Sequence, residues 1–191
     1  MKKTGLFFGS FNPIHVGHLI LAEYFATQTE LEEVWLVVTP QNPLKKKDSL
    51  LDQYLRLDLV HRAIEGNHKL RATDVEFKLA KPSYTIHTLI HLREQFPDRQ
   101  FSLIMGEDNL VSLPRWKNYE QILEQFEVLV YPRVGQHPSE LAGHPQVHLV
   151  QAPVVEISSS QIRNLLKNNQ SIRYLIPHVI HDYLLKEGFY R

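Results

Sequence analysis

What most constrains the fold of this chain is a ten-residue stretch set between two apolar segments, Gly9-Ser10-Phe11-Asn12-Pro13-Ile14-His15-Val16-Gly17-His18. Before it, Thr4-Gly5-Leu6-Phe7-Phe8 predicts a buried strand. After it, Leu19 to Phe25 places apolar residues at helical spacing. In an open α/β sheet the turn from strand to helix lies at the carboxyl end of the strand, where ligands bind. Free N–H groups and the positive end of the helix dipole then face the ligand, and phosphate suits them. His15 and His18 add donors that can carry charge near neutral pH. Gly9 and Gly17 let the backbone approach closely. Alone, His-x-x-His at a helix entry describes two surface histidines or a metal pair. The whole decapeptide is far more specific.

The next segments extend the pattern. Val34-Trp35-Leu36-Val37-Val38 is a continuous run suited to a strand buried on both faces. Strand, helix and strand in so short a span predict a right-handed βαβ unit and a parallel sheet. Thr39-Pro40-Gln41-Asn42-Pro43-Leu44-Lys45-Lys46-Lys47 reads as a solvated basic loop on the same rim as the histidines, from which a lysine can reach a substrate phosphate. Asp52 to Ile64 predicts a helix with Leu55, Leu59 and Ala63 on one face, and Gly66-Asn67 stops it. A strand follows at Leu70 to Ala72, then a looser extended stretch to Phe77. Lys81 to Thr85 turns into a helix reaching Phe96, on which His87 and His91 read as exposed.

Phe101 to Met105 is a fourth strand, ending at Gly106-Glu107-Asp108, so that Asp108 falls on the ligand rim or caps a helix. Trp116, in Leu113-Pro114-Arg115-Trp116-Lys117, is a packing residue or a stacking surface for a flat ring. A helix at Tyr119 to Phe126 and strands at Glu127 to Tyr131 and Val147 to Val150 complete this half. Pro132 to Pro145 is the best candidate for a mobile loop, with Arg133 at its base. Ile157-Ser158-Ser159-Ser160-Gln161-Ile162-Arg163 is a serine-capped helix start. Such a start also offers hydroxyls and N–H groups to an anion, and Arg163 lies one turn on. A last helix runs from Pro177 to about Lys186, closed by Gly188.

Composition narrows the classes. With 21 Lys+Arg against 21 Asp+Glu the formal charge is zero, which gives no support for a surface that coats nucleic acid. No cysteine is present, so disulfides, thiolate nucleophiles and cysteine zinc sites are excluded. No apolar stretch is long enough to span a bilayer and none resembles a signal-peptide core. A cytoplasmic protein with no membrane partner is the expectation, and homo-oligomerisation is left open.

The decapeptide resembles the Gly-x-Phe-[Asp/Asn]-Pro-x-His-x-Gly-His signature of the nucleotidyltransferases. With Pro82-Ser83-Tyr84-Thr85, Gly106 to Trp116 and Ile157 to Arg163 in the same order, the chain is similar to the bacterial nicotinate-nucleotide adenylyltransferase family over nearly its whole length. Asn12 stands where that family often has Asp, Leu44-Lys45-Lys46 where it has Pro-His-Lys, His87 where it often has Asp, and Glu107 where it has a small residue.

The resemblance implies an α/β fold: a Rossmann-like parallel sheet with helices on both faces over about residues 1–155, and a small C-terminal helical portion over about 156–191, forming one domain. It also implies transfer of AMP from ATP to nicotinate mononucleotide, with magnesium accompanying the ATP. The nearest alternatives are nicotinamide mononucleotide or phosphopantetheine as acceptor, and then a non-catalytic nucleotide binder. His15, His18 and Arg163 are the expected catalytic residues. Gly9, Ser10, Phe11, Gly106, Asp108, Ile157, Ser158, Ser159 and Ser160 join them around ATP. Lys46, Tyr84, Thr85, Trp116 and Arg133 are expected at the mononucleotide. No protein-held metal is expected.

Overall fold

The run expected to be a buried strand is β1, Lys2–Gly9, and it lies in the middle of the sheet. The computed structural model describes residues 1–40, 50–135 and 139–190. From β1 the chain passes through α1 (Val16–Gln28) to β2 (Glu33–Val38), then through α2 (Gln53–Ala63) to β3 (Leu70–Thr73). It returns by α3 (Thr85–Gln95) to β4 (Arg99–Gly106) on the other side of β1. The remaining elements are α4 (Glu107–Ser112), α5 (Tyr119–Gln125), β5 (Glu127–Tyr131), β6 (Val147–Leu149), α6 (Ser159–Lys167) and α7 (His178–Glu187). The six strands are ordered β3-β2-β1-β4-β5-β6 and every pair is parallel. This is the doubly wound, Rossmann-like arrangement, and the expected fold class is correct.

The strands bury both faces, as their continuous apolar runs require. Phe7, Val34, Leu36, Val38 and Ile104 point to one side, where α1, α2, α6 and α7 supply Leu21, Phe25, Leu59, Val60, Ile162, Leu166, Ile180 and Leu184. Leu6, Trp35, Val37, Leu103, Met105, Val128 and Val130 point to the other, against Ile86, Leu89 and Leu92 of α3 and Ile122 and Leu123 of α5. The C-terminal helices therefore share the larger core with the first βαβ unit. Each fully buried Leu or Ile contributes about 1.5–3 kcal/mol.

Two local readings change. The extended stretch expected after β3 is a 3-10 turn, Val75–Lys78. Its apolar alternation looks strand-like, but Phe77 N–H bonds back to Asp74 O at 2.8 Å and Leu79 N–H to Glu76 O at 3.4 Å. Asp108 does not cap α4: the cap position is Gly106, and Asp108 lies in the first turn. Within the segment expected to be a mobile loop, Glu140–Gly143 forms a 3-10 turn on a Ser139 cap. Elsewhere the boundaries fall within a few residues of those expected, including the Asp52 cap of α2, whose carboxylate accepts from Tyr54 and Leu55 N–H.

Candidate functional site

The strand order reverses between β1 and β4, which opens a crevice at their carboxyl ends. A cleft of about 390 Å³ lies there. Its lining brings together Gly9, Ser10, Phe11, His15 and His18 from the first motif, Asp108, Trp116 and Arg133 from the second half, and Ile157 to Ser160 with Arg163 from α6. Residues 150 positions apart in sequence therefore share one wall. Gly106 closes β4 beside it, where a Cβ would come within 2.5 Å of Asp108 Oδ1 and 3.1 Å of the Tyr131 ring.

The turn after β1 is tightly built. Phe11 adopts a left-handed φ of 44°, which is costly for a side chain of this size. Its ring is buried edge-on to His18, with centroids 5.0 Å apart. A Cβ on Gly9 would meet that ring at 2.8 Å, so only glycine fits. His15 occupies the cap position of α1, and its N–H donates to His18 Nδ1 at 3.3 Å. A nitrogen that accepts carries no hydrogen, so the neutral His18 ring holds its proton on Nε2. The two imidazoles stack at 3.6 Å between centroids.

Two expectations about this turn are corrected. His15 is 4% exposed, and burial, aided by the Arg133 charge, pushes it down from the usual 6.5 to about 4. It is therefore a neutral imidazole at pH 7, not a charged donor. The N–H groups expected to be free at the start of α1 are partly taken: Val16 N–H donates to Leu175 O at 3.0 Å, and the His15 N–H is bound by His18. Among the described residues, His15 Nδ1 is buried without a hydrogen-bond partner.

The α6 wall is held to the first motif directly. Ser158 caps the helix by accepting from Gln161 N–H at 3.1 Å. Ser159 Oγ donates to Pro13 O at 2.9 Å, across 146 residues. Arg163 Nη1 donates to Asn12 O at 2.8 Å and Nη2 to Ser160 Oγ at 3.2 Å. The serine run is thus a cap, a tether and an acceptor, not three equivalent hydroxyls. On the facing wall, Asp108 is exposed and lies 3.5 Å from Arg133 Nε, while Arg133 N–H is bound by Glu107 Oε2 at 2.8 Å. Asp108 is the only carboxylate among the described residues lining this cleft.

Tyr84 and Thr85 do not line the cleft; they open α3. The Lys117 ammonium lies 4.5 Å over the Tyr84 ring, which places the segment following Trp116 beside Tyr84. Lys46, with the rest of residues 41–49, lies outside the described residues. His87 and His91 are exposed, and no group of three or more His, Asp or Glu among the described residues is placed to hold a metal ion.

Sequence reasoning missed Arg56. Its guanidinium is wholly buried, and it donates only to carbonyls: Leu51 O at 2.8 Å, Thr39 O at 2.8 Å, Pro40 O at 2.9 Å and Ser10 O. One side chain ties the loops after β1 and β2 to the entry of α2. The signal was present: Arg56, Leu59, Val60 and Ala63 follow helical spacing, so Arg56 sits on the apolar face. Tyr190 was also missed. Its hydroxyl reaches back to Asn12, and no sequence pattern announces a contact spanning 178 residues.

The sequence model of the cytidylyltransferase-like family matches residues 6–165. A relative from Flavobacterium johnsoniae is 51% identical over 191 residues, covering 99% of both chains, and one from Cytophaga hutchinsonii is 52% identical over 188 residues, covering 98% of both. Both are named "Probable nicotinate-nucleotide adenylyltransferase". The solved structure of Plasmodium falciparum nicotinic acid mononucleotide adenylyltransferase complexed with NaAD superimposes with a TM-score of 0.84 at 21% identity. It covers 100% of this chain and 98% of its own.

Proposed function

The chain belongs to the cytidylyltransferase-like family, and from that premise we propose that it joins AMP from ATP to nicotinate mononucleotide, releasing deamido-NAD and pyrophosphate. The observation that carries this reading is the convergence of His15, His18 and Arg163 on one cleft where the strand order reverses. A cleft walled by two guanidinium groups and two imidazoles suits a triphosphate. Full-length likeness to relatives carrying the nicotinate-nucleotide adenylyltransferase name supplies the acceptor.

The 5′-phosphate of the mononucleotide attacks the α-phosphorus of ATP in line. A P–O bond forms to the α-phosphorus, the bond to the β-phosphate oxygen breaks, and the electron pair leaves on pyrophosphate. The attacking monoester is already anionic, so no general base is needed. The protein contributes placement and charge stabilisation. His18, with its proton on Nε2, and His15, which lines the same cleft, donate to the bridging and α-phosphate oxygens. Arg163 and the residues that lead into α6, from Ile157 to Ser160, hold the β- and γ-phosphates, with Gly9, Ser10 and Phe11 shaping the floor. Gly106 and Asp108 meet the adenosine ribose. Trp116 stacks on the pyridine ring, with Tyr84 and Thr85 beyond it, and Arg133 stands over the reacting phosphates.

Magnesium carried on ATP would neutralise part of the triphosphate charge; it would be held mainly by phosphate oxygens and water, which fits a described cleft lining whose one carboxylate is Asp108. The core shared by the C-terminal helices and the first βαβ unit supports reading the chain as one domain, and dependence on ATP supports a cytoplasmic setting.

The test is pyrophosphate release with ATP, magnesium and, in turn, nicotinate mononucleotide, nicotinamide mononucleotide and phosphopantetheine. The expected result is fastest release with nicotinate mononucleotide. Faster release with phosphopantetheine, or none with any acceptor, would overturn the reading. A faster rate with nicotinamide mononucleotide would keep adenylyl transfer and change the acceptor.

A further inference from the structure

Asn12, which lines the cleft, is the centre of a polar cluster that reaches Arg163 and residue 190. Asn12 is 4% exposed. Its side-chain oxygen accepts two hydrogen bonds, from Tyr190 Oη at 2.7 Å and from Leu51 N–H at 3.1 Å. Its backbone oxygen accepts from Arg163 Nη1 at 2.8 Å. One residue therefore joins the turn after β1, the entry to α2, the guanidinium of α6 and residue 190. The charges of Arg56 and Arg163 both act on the Tyr190 phenol.

The chain adopts an uncommon course to put it there. Gly188 ends α7 with a φ of 66°, and Tyr190 itself has a φ of 66°. A left-handed tyrosine is disfavoured, and such a residue persists where its surroundings hold it. Here the ring packs on the larger core while the hydroxyl reaches Asn12. The phenol is half-buried, and burial keeps it in the protonated, donating form.

We propose that Tyr190 is a positioning residue: by donating to Asn12 Oδ1 it fixes the Asn12 peptide, and so sets the direction in which Arg163 meets the triphosphate. The inference rests on the reading of the cleft as an ATP site. Arg163 is anchored at one nitrogen by a backbone oxygen, and a backbone oxygen has only the rigidity of its own peptide. Asn12 begins the segment leading to His15, so its placement also bears on the histidine turn. The second bond to Asn12 Oδ1, from Leu51, comes from the entry to α2 and carries no link to the segment after α7. A shift of this guanidinium by a fraction of an ångström is enough to slow a reaction that depends on placement.

The decisive experiment is a double-mutant cycle of Tyr190→Phe and Arg163→Ala. Steady-state kcat and KM are measured with ATP and nicotinate mononucleotide, ATP affinity by equilibrium titration, and folding by thermal denaturation. Phenylalanine keeps the ring packing and removes only the donor. Tyr190→Phe is expected to lower kcat about tenfold, with KM for nicotinate mononucleotide changed less than about twofold. In the Arg163→Ala background the same substitution is expected to change kcat and ATP affinity by less than about twofold, because the two act as a unit. A merely structural tyrosine would lower the melting temperature and cost the same factor in both backgrounds; that result overturns the proposal, as does an unchanged kcat in Tyr190→Phe. An inactive parent protein would refute the acceptor assigned above, while non-additivity or additivity in ATP affinity would still decide the role of Tyr190.

Discussion

His15 and His18 share one turn but differ in what surrounds them. His18 is fixed in its tautomer by the His15 N–H and held edge-on by Phe11. Replacing it with alanine removes a preorganised donor, and kcat is expected to fall about a hundredfold or more with the melting temperature nearly unchanged. An unaltered kcat would exclude His18 from the reaction. His15 is also a stability determinant. Its folded-state value of about 4 lies below the 6.5 of the unfolded chain, so the unfolded state takes up the proton first as pH falls. This contribution is complete above about pH 6.5 and declines toward pH 4, by about 3 kcal/mol in all. Urea denaturation at pH 7 and pH 5 should show the decline, and His15→Gln should flatten it. Both histidines are legible in the sequence because motif residues are read by spacing. The charge state of His15 is not, because it depends on burial and on Arg133, which lies 118 residues away in sequence.

At the scale of elements, strands and helices are legible wherever a long apolar period sets them. β1, β2, α1 and α2 follow from that period alone. The Val75–Lys78 turn misleads because three-residue and two-residue spacings look alike over four positions. What joins the elements is mostly polar and long-range, and so leaves little trace in a local pattern. Arg56 is the clearest case. Replacing it with methionine keeps the volume but strands four carbonyl acceptors at the ends of β1 and β2 and at the start of α2. The expected loss is about 3 kcal/mol in denaturant unfolding, with a drop in kcat as the Ser10 turn loosens. Stability equal to the parent would mean that these loops are held by other contacts.

For the whole molecule, the shared core predicts cooperative behaviour. Ile180 and Leu184 of α7 are fully buried beside Phe25, Leu59 and Val60, so the C-terminal helices have no core of their own. Leu184→Ala is expected to cost about 2–5 kcal/mol and to shift the unfolding curves at far- and near-ultraviolet wavelengths together. Two separated transitions would instead indicate two units. The chain has two tryptophans, and the fold assigns them different surroundings. Trp116 borders the cleft, whereas Trp35 is 1% exposed near the amino end of β2, with its indole N–H held by Glu33 at 2.7 Å. Intrinsic emission therefore carries two separable signals. Quenching on addition of mononucleotide should vanish in Trp116→Phe, while the red shift on denaturation, reported by Trp35, should survive, so one cuvette can follow occupancy and integrity without any attached dye.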